Sequence, residues 1–205
     1  MNRQGFSPEL VTKRVQEDVA RGNFPTAMDV LVRAYGPELA GFCAVQLKDH
    51  ARAEEAFSEA LFDIWRGLPQ FRFAASVRTW AYAVTRHACF RVRQAEQSRR
   101  ETTAESEAFW SQLEAPLRTL TQTWLRTTVR QEVVRLRASL AEEDQALLTL
   151  RLDRKLAWDE VAQILAGPEP LEPAELKKAT AAARKRFERV KASIAALAKE
   201  QGLLK

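Results

Sequence analysis

The 205-residue chain is 46% hydrophobic and 29% charged, with a formal net charge of +5. That composition excludes a disordered tail and a membrane-embedded protein, and it admits one large domain or two small ones. With 7 Gly, 8 Pro and no sustained apolar–polar alternation, the expected fold class is all-α.

Two cysteines, Cys43 and Cys89, and two histidines, His50 and His87, exclude a disulfide framework. They also leave too few ligands for a zinc site, so no metal and no cofactor is expected. Apolar runs are broken by charges before the ~20 residues of a membrane span, and the Met1 end lacks the apolar core of a secretory signal. The expectation is a cytoplasmic protein without membrane insertion.

In chain order, Ser7, Pro8 and Glu9 spell a helix start, and Val11, Val15 and Val19 give one face that ends at Gly22. Residues 1–25 form an N-terminal extension with this short helix and no assigned role. Thr26 is placed as the cap of a second helix through Tyr35, interrupted at Gly36 and Pro37 before Leu39, Phe42 and Leu47 carry the apolar spacing onward. From Asp49 to Trp65 the pattern is clearly amphipathic. Ala53, Ala56, Phe57, Ala60, Leu61, Ile64 and Trp65 form the core face, and Gly67 stops the helix. Its other face carries Glu55, Ser58, Glu59, Phe62 and Asp63, an acidic strip with one aromatic. Such a strip is either a partner surface or an ordinary solvated face with Phe62 tucked under a neighbour.

The loop from Leu68 to Ala75 contains Phe71, Arg72 and Phe73, and Ser76 can cap the helix that follows. Val77, Trp80, Val84 and Ala88 give this helix a buried side, while Arg78, Tyr82, Arg86, Cys89 and Arg93 recur on another. From Arg66 to Arg100, eight arginines stand against Glu96 alone. Arginines interleaved with aromatics suit a nucleic-acid strand, because guanidinium groups neutralise phosphates and aromatic faces stack on unpaired bases. The competing reading places Trp80, Tyr82, Phe71 and Phe73 all in the core.

Residues 95–136 read as a linker with helical pieces. Ser139 and Glu142 fit a capping box opening a helix through Leu150. Trp158 to Leu165 forms a second helix, a turn runs from Ala166 to Pro173, and Pro173 opens a long final helix. There Leu176, Thr180, Ala183, Phe187, Val190, Ile194 and Leu197 make a heptad-like stripe, with Lys177, Lys178, Arg184 and Lys185 off it. Helix, turn and basic helix make a helix-turn-helix candidate, although coiled-coil-like packing explains the stripe equally well. Two basic segments separated by an acidic connector favour two contacts on one long polyanion.

At this point the residues resemble a bacterial RNA polymerase sigma factor of the extracytoplasmic-function (ECF) type. The run Ala53-Glu54-Glu55-Ala56-Phe57-Ser58-Glu59-Ala60-Leu61-Phe62-Asp63-Ile64-Trp65 looks like that family's helix Ala-Glu-Asp-Leu-Val-Gln-Glu-Thr-Phe-Leu-x-x-Trp. Thr79-Trp80-Ala81-Tyr82-Ala83-Val84-Thr85-Arg86-His87 is similar to Thr-Trp-Leu-Tyr-x-Ile-Ala-Arg-Asn, and Leu140 to Val190 resembles the family's fourth region. The matches cover Thr26 to Arg93 and Leu140 to Val190, in the family's order.

The resemblance implies two small helical domains joined by a partly helical linker, and no catalytic residues. A region-two-like domain would occupy 26–94 and a helix-turn-helix, region-four-like domain 137–205. Glu54, Glu55, Ser58, Glu59 and Phe62 would dock on the clamp helices of the largest subunit of core RNA polymerase. Phe71, Arg72, Phe73, Arg78, Trp80, Tyr82, Arg86 and Arg93 would recognise the minus-ten element of promoter DNA and hold its melted strand. Lys177, Lys178, Arg184 and Lys185 would serve the minus-thirty-five element, and an anti-sigma factor is a further partner.

Departures from the pattern bear on both interfaces. Ser58 and Ala56 replace the usual Gln and Leu, which weakens or rearranges the polymerase contact. The turn 166–173 is longer than usual and lacks the family's Ser and Thr, and Ala179, Ala181 and Ala182 offer no hydrogen bonds to base edges. The alternative function is a helix-turn-helix regulator that binds duplex DNA without docking on polymerase.

Overall fold

The computed structural model describes residues 7–100, 136–137 and 139–200, and among these every regular element is helical. The linker reading for 95–136 therefore falls largely outside the described residues. Helix α1 is Pro8–Ala20, α2 Phe24–Leu47, α3 His50–Gly67, α4 Val77–Arg100, α5 Glu142–Leu148, α6 Trp158–Ala166 and α7 Pro173–Glu200.

Helix α1 starts where the sequence places it, the Ser7 hydroxyl accepting from the Leu10 N–H at 3.3 Å. Val11 and Val15 pack on the core, and the Thr12 hydroxyl accepts the Val77 N–H at 3.3 Å. The leading helix thus supplies an acceptor to an unpaired donor at the start of α4.

Two expectations for α2 are corrected. Its cap position is Asn23, whose side-chain oxygen takes the Thr26 hydroxyl at 2.9 Å, and the helix runs unbroken through Gly36 and Pro37. An internal proline costs about 3 kcal/mol. Here Leu31, Ala34 and Tyr35 before it and Leu39, Phe42 and Cys43 after it are all buried, so one apolar face spans the interruption and holds both segments in register.

Helix α3 lies on α2 and α4 through Ala53, Ala56, Ala60 and Ile64. The three alanines let the backbones approach closely. Trp65, expected on this face, is 42% exposed, since it stands about 100° round the helix from the buried Ile64. Helix α4 continues to Arg100, past the boundary expected at residue 94.

In the C-terminal half, the capping box expected of Ser139 and Glu142 is absent. The Ser139 hydroxyl donates to the Leu136 carbonyl at 2.9 Å, and α5 begins after Ala141 without a side-chain cap. A π-turn at Thr149–Asp153 follows. The Glu160 carboxylate accepts the Ala157 N–H at 2.9 Å, closing the start of α6. On α7, Ala183, Phe187 and Val190 of the heptad-like stripe are buried.

Both halves share one hydrophobic cluster, which joins Tyr35, Leu39, Trp80 and Tyr82 to Leu147, Leu150, Leu156 and Ile164. Helix α4 packs directly against α6. No helix among the described residues is long and apolar enough to cross a membrane.

Candidate nucleic-acid interface

The acidic strip of α3 is presented as expected. Asp49 caps the helix, its carboxylate accepting the Arg52 N–H at 2.9 Å. Burial of the alanine face turns Glu54, Glu55 and Ser58 to solvent, and Phe62 is 59% exposed. The aromatic is therefore not tucked under a neighbour. Arg91 of α4 bridges Glu59 at 2.9 Å and Asp63 at 2.6 Å, and the Arg66 guanidinium stands 5.6 Å from the Phe62 ring centre. The strip is a carboxylate-rich surface with an apolar centre and arginines at its margin.

The loop between α3 and α4 is built on aromatic contacts. Phe71 stacks on Trp80 with ring centres 4.4 Å apart and planes 16° from parallel, and Phe73 leans on Phe71 at 4.6 Å. Gly67 makes room for this stack, since a Cβ there would lie 2.9 Å from the Trp80 ring. Phe73 has φ 55°, the left-handed region that aromatic residues rarely adopt. Arg72 between the two phenylalanines is exposed.

The side of α4 read as strand-facing is occupied by the protein itself. Trp80 is 7% exposed and Tyr82 is fully buried, so neither offers a ring face to solvent in this arrangement. Tyr82 meets Phe42 edge-on at 5.5 Å and donates its hydroxyl to Glu38 at 3.3 Å. Arg78 donates to the same carboxylate at 3.1 and 2.8 Å. Burial lowers the affinity of Arg78 for its proton, but the hydrogen bond and charge of Glu38 more than offset it, so its pKa is raised. Burial pushes the Tyr82 phenol well above its ordinary value. Cys89 lies 3.6 Å from Cys43, and both thiols are buried.

The remaining residues of that row meet the C-terminal half. Arg93 pairs with Glu142 and with the Gln46 carbonyl, and Arg86 lies 3.9 Å from Glu143. Burial lowers the Arg86 pKa, and Glu143 opposes that shift. The Thr79 hydroxyl donates to Glu160 at 3.0 Å, and Arg154 donates to the Glu38 carbonyl at 3.2 Å. Sequence reasoning missed Glu38, Glu142, Glu143, Arg154 and Glu160, whose partners lie 40 or more residues away. No local spacing signals such pairs.

On α7, Lys177, Lys178, Arg184 and Lys185 are exposed. Arg184 stands 5.8 Å over the Trp158 ring, which Arg151 approaches at 4.7 Å and Phe187 meets edge-on at 5.2 Å. Together the residues place three cationic groups of α7 in solvent and one against an aromatic. No group of three or more His, Cys, Asp or Glu among the described residues could hold a metal ion.

Residues 31–99 match the family model for sigma-70 region 2. The RNA polymerase sigma-H factor of Pseudomonas aeruginosa is 26% identical over 167 residues, covering 76% of this chain and 83% of that protein. The RNA polymerase sigma factor YlaC of Bacillus subtilis is 24% identical over 141 residues, covering 68% of this chain and 79% of that one. The solved structure of CnrH in complex with the cytosolic domain of CnrY shares the fold, with a TM-score of 0.61 at 16% identity, over 93% of this chain and 98% of CnrH. A region-2 match running from within α2 to the end of α4, with relatives that carry the likeness into the rest of the chain, supports an RNA polymerase sigma factor of the extracytoplasmic-function type.

Proposed function

We propose that this sigma factor directs transcription initiation by docking on core RNA polymerase through the acidic strip of α3 and on promoter DNA through two basic surfaces. The observation that carries the reading is the exposed Phe62 among Glu54, Glu55, Ser58 and Glu59. A large exposed apolar side chain beside a row of carboxylates, with arginines at the margin, is the anatomy of a protein interface centre with a charged rim. Its partner surface is basic and is assigned to the clamp helices of the largest subunit.

The loop Phe71, Arg72 and Phe73, with Arg86 and Arg93, serves the minus-ten element. Trp80, Tyr82 and Arg78 act from behind, holding the loop and α4 in shape. Stacking of an unpaired base is worth roughly 1–3 kcal/mol, which favours the melted strand over the duplex. Lys177, Lys178, Arg184 and Lys185 serve the minus-thirty-five element, chiefly through phosphates. The polymerase performs the chemistry, and this chain supplies recognition. It works in the cytoplasm, and an anti-sigma protein is proposed as its restraint.

The test is gel filtration of the chain with core polymerase, using the Glu55→Lys, Glu59→Lys double variant. Wild type should co-elute, and the variant should elute alone with its helical circular dichroism unchanged. Co-elution of the folded double variant would remove the strip from the docking role.

A further inference from the structure

The two cysteines of the chain are 46 residues apart in sequence, Cys43 on α2 and Cys89 on α4, and their sulfurs stand 3.6 Å from each other. Both thiols are free and buried. They share a small second cluster with Leu47 of α2, Ala53 and Ala56 of α3 and Val92 of α4, apart from the main core. Packing of three helices therefore holds the two sulfurs in contact. A disulfide needs an S–S distance of about 2.05 Å. Side-chain rotation closes the remaining gap, and the methyl groups of Ala53 and Ala56 give the sulfurs small neighbours on the α3 side.

We propose that Cys43 and Cys89 are an oxidant-responsive pair that forms one reversible intrachain disulfide, stapling α2 to α4 beneath α3. The co-reactant is a hydroperoxide, of which hydrogen peroxide is the simplest. One sulfur, as thiolate, attacks a peroxide oxygen. The O–O bond breaks, that sulfur becomes a sulfenic acid, and the other oxygen departs as hydroxide. The second sulfur, as thiolate, then attacks the sulfenic sulfur, so that the S–S bond forms and the S–O bond breaks with loss of a second hydroxide. The two hydroxides take up the two thiol protons and leave as water. Two electrons have passed from the sulfur pair to the peroxide.

Burial sets the rate of the first step. Contact with the Cys89 thiol and apolar surroundings raise the Cys43 pKa, so thiolate is scarce and a brief exposure leaves the pair reduced. In a reducing compartment such a bridge is conditional, unlike the permanent framework of a secreted domain. Once formed, it closes a loop that holds all of α3 and the segment carrying Phe71 and Phe73. A cross-link over such a loop narrows the unfolded ensemble. The oxidised chain then resists unfolding more than the reduced one, and the persistence of the protein follows the oxidant. The inference rests on the thiol pair alone and on none of the docking or DNA assignments.

The experiment treats the reduced full chain with hydrogen peroxide, alkylates the remaining thiols in denaturant and maps peptides by mass. Mapping separates sulfur bridging from oxidation of the two methionines. Both free thiols should disappear, the peptides carrying Cys43 and Cys89 should be linked, and the chain should stay monomeric on a non-reducing gel. The urea midpoint should rise by roughly 1 M or more, and dithiothreitol should return it to its starting value. Cys43→Ala and Cys89→Ala, treated alike, should show no rise, and a rise in either would remove the bridge as its cause.

Both thiols still free in the folded wild type, after an exposure many times longer than an unstructured cysteine peptide needs, would overturn the reactivity of the pair. Oxygen added to unlinked cysteines, or bridges between chains, would overturn the pairing. A bridged chain whose midpoint does not rise would overturn the staple.

Discussion

Glu38 organises more of this molecule than any residue whose spacing drew attention. Its carboxylate takes Arg78 and Tyr82, and its carbonyl takes Arg154. Tyr82→Phe should cost about 1 kcal/mol in urea unfolding, the usual worth of one hydrogen bond. Tyr82→Ala should cost about 3–5 kcal/mol, as for other buried aromatics. A Tyr82→Ala variant of unchanged stability would return that ring to the surface role. The chain has two tyrosines, and burial raises the pKa of both, Tyr35 to about 12. In the unfolded chain these phenols ionise near 10, before those of the folded protein. The unfolded state therefore sheds protons first, and stability should fall as pH rises from about 10 toward 12. Replacing both tyrosines by Phe should flatten that fall, and the ultraviolet absorbance of tyrosinate in wild type should rise only as the protein unfolds. The arginine row was legible in the sequence, but its orientation was not: the spacing of Arg78, Tyr82, Arg86 and Arg93 shows a shared face and leaves open what that face meets.

At the scale of the helix, period and caps were read well where the signal is local. Ser7 and Ser76 cap as expected, the Ser76 hydroxyl accepting the Thr79 N–H at 3.0 Å, and α3 shows Glu54 and Glu55 to solvent. Misreadings have two sources. Tertiary packing decides at Pro37, where a continuous buried face spans the interruption, and a competing local contact decides at Ser139, which turns back to the Leu136 carbonyl in place of capping α5. The leading helix acquires a use invisible in its own residues, because Thr12 serves Val77, 65 positions later. Thr12→Val should lower stability by about 1 kcal/mol through the unpaired donor it leaves, measured by urea unfolding. Gly67→Ala should press on the Trp80 ring and disturb the Phe71 stack, read as a shift in tryptophan fluorescence relative to wild type. On α7, Lys177→Ala with Lys178→Ala should reduce the slope of log affinity against log salt by roughly 2 for duplex DNA. An unchanged slope would take both lysines out of the phosphate contacts.

For the molecule as a whole, the division into two basic modules was apparent from charge along the chain, yet their union was not. One hydrophobic cluster runs from Tyr35 and Leu39 through Tyr82 to Leu147 and Ile164, and urea should therefore unfold the free wild-type chain in a single transition. Two separate transitions would mean that the halves fold independently in spite of the shared cluster. The polarity of the exposed surfaces follows from the same packing: the acidic strip of α3 and the start of α7 stay outside it, while the α4 row is drawn in.

The leading helix closes on the head of α4 through Thr12 and adds Val11 and Val15 to the shared cluster. It precedes the matched region 31–99 in the chain, yet it belongs to the same folding unit. A boundary drawn where the family match begins would cut through a cooperative core, and a fragment starting at residue 31 should unfold at lower urea than the full chain.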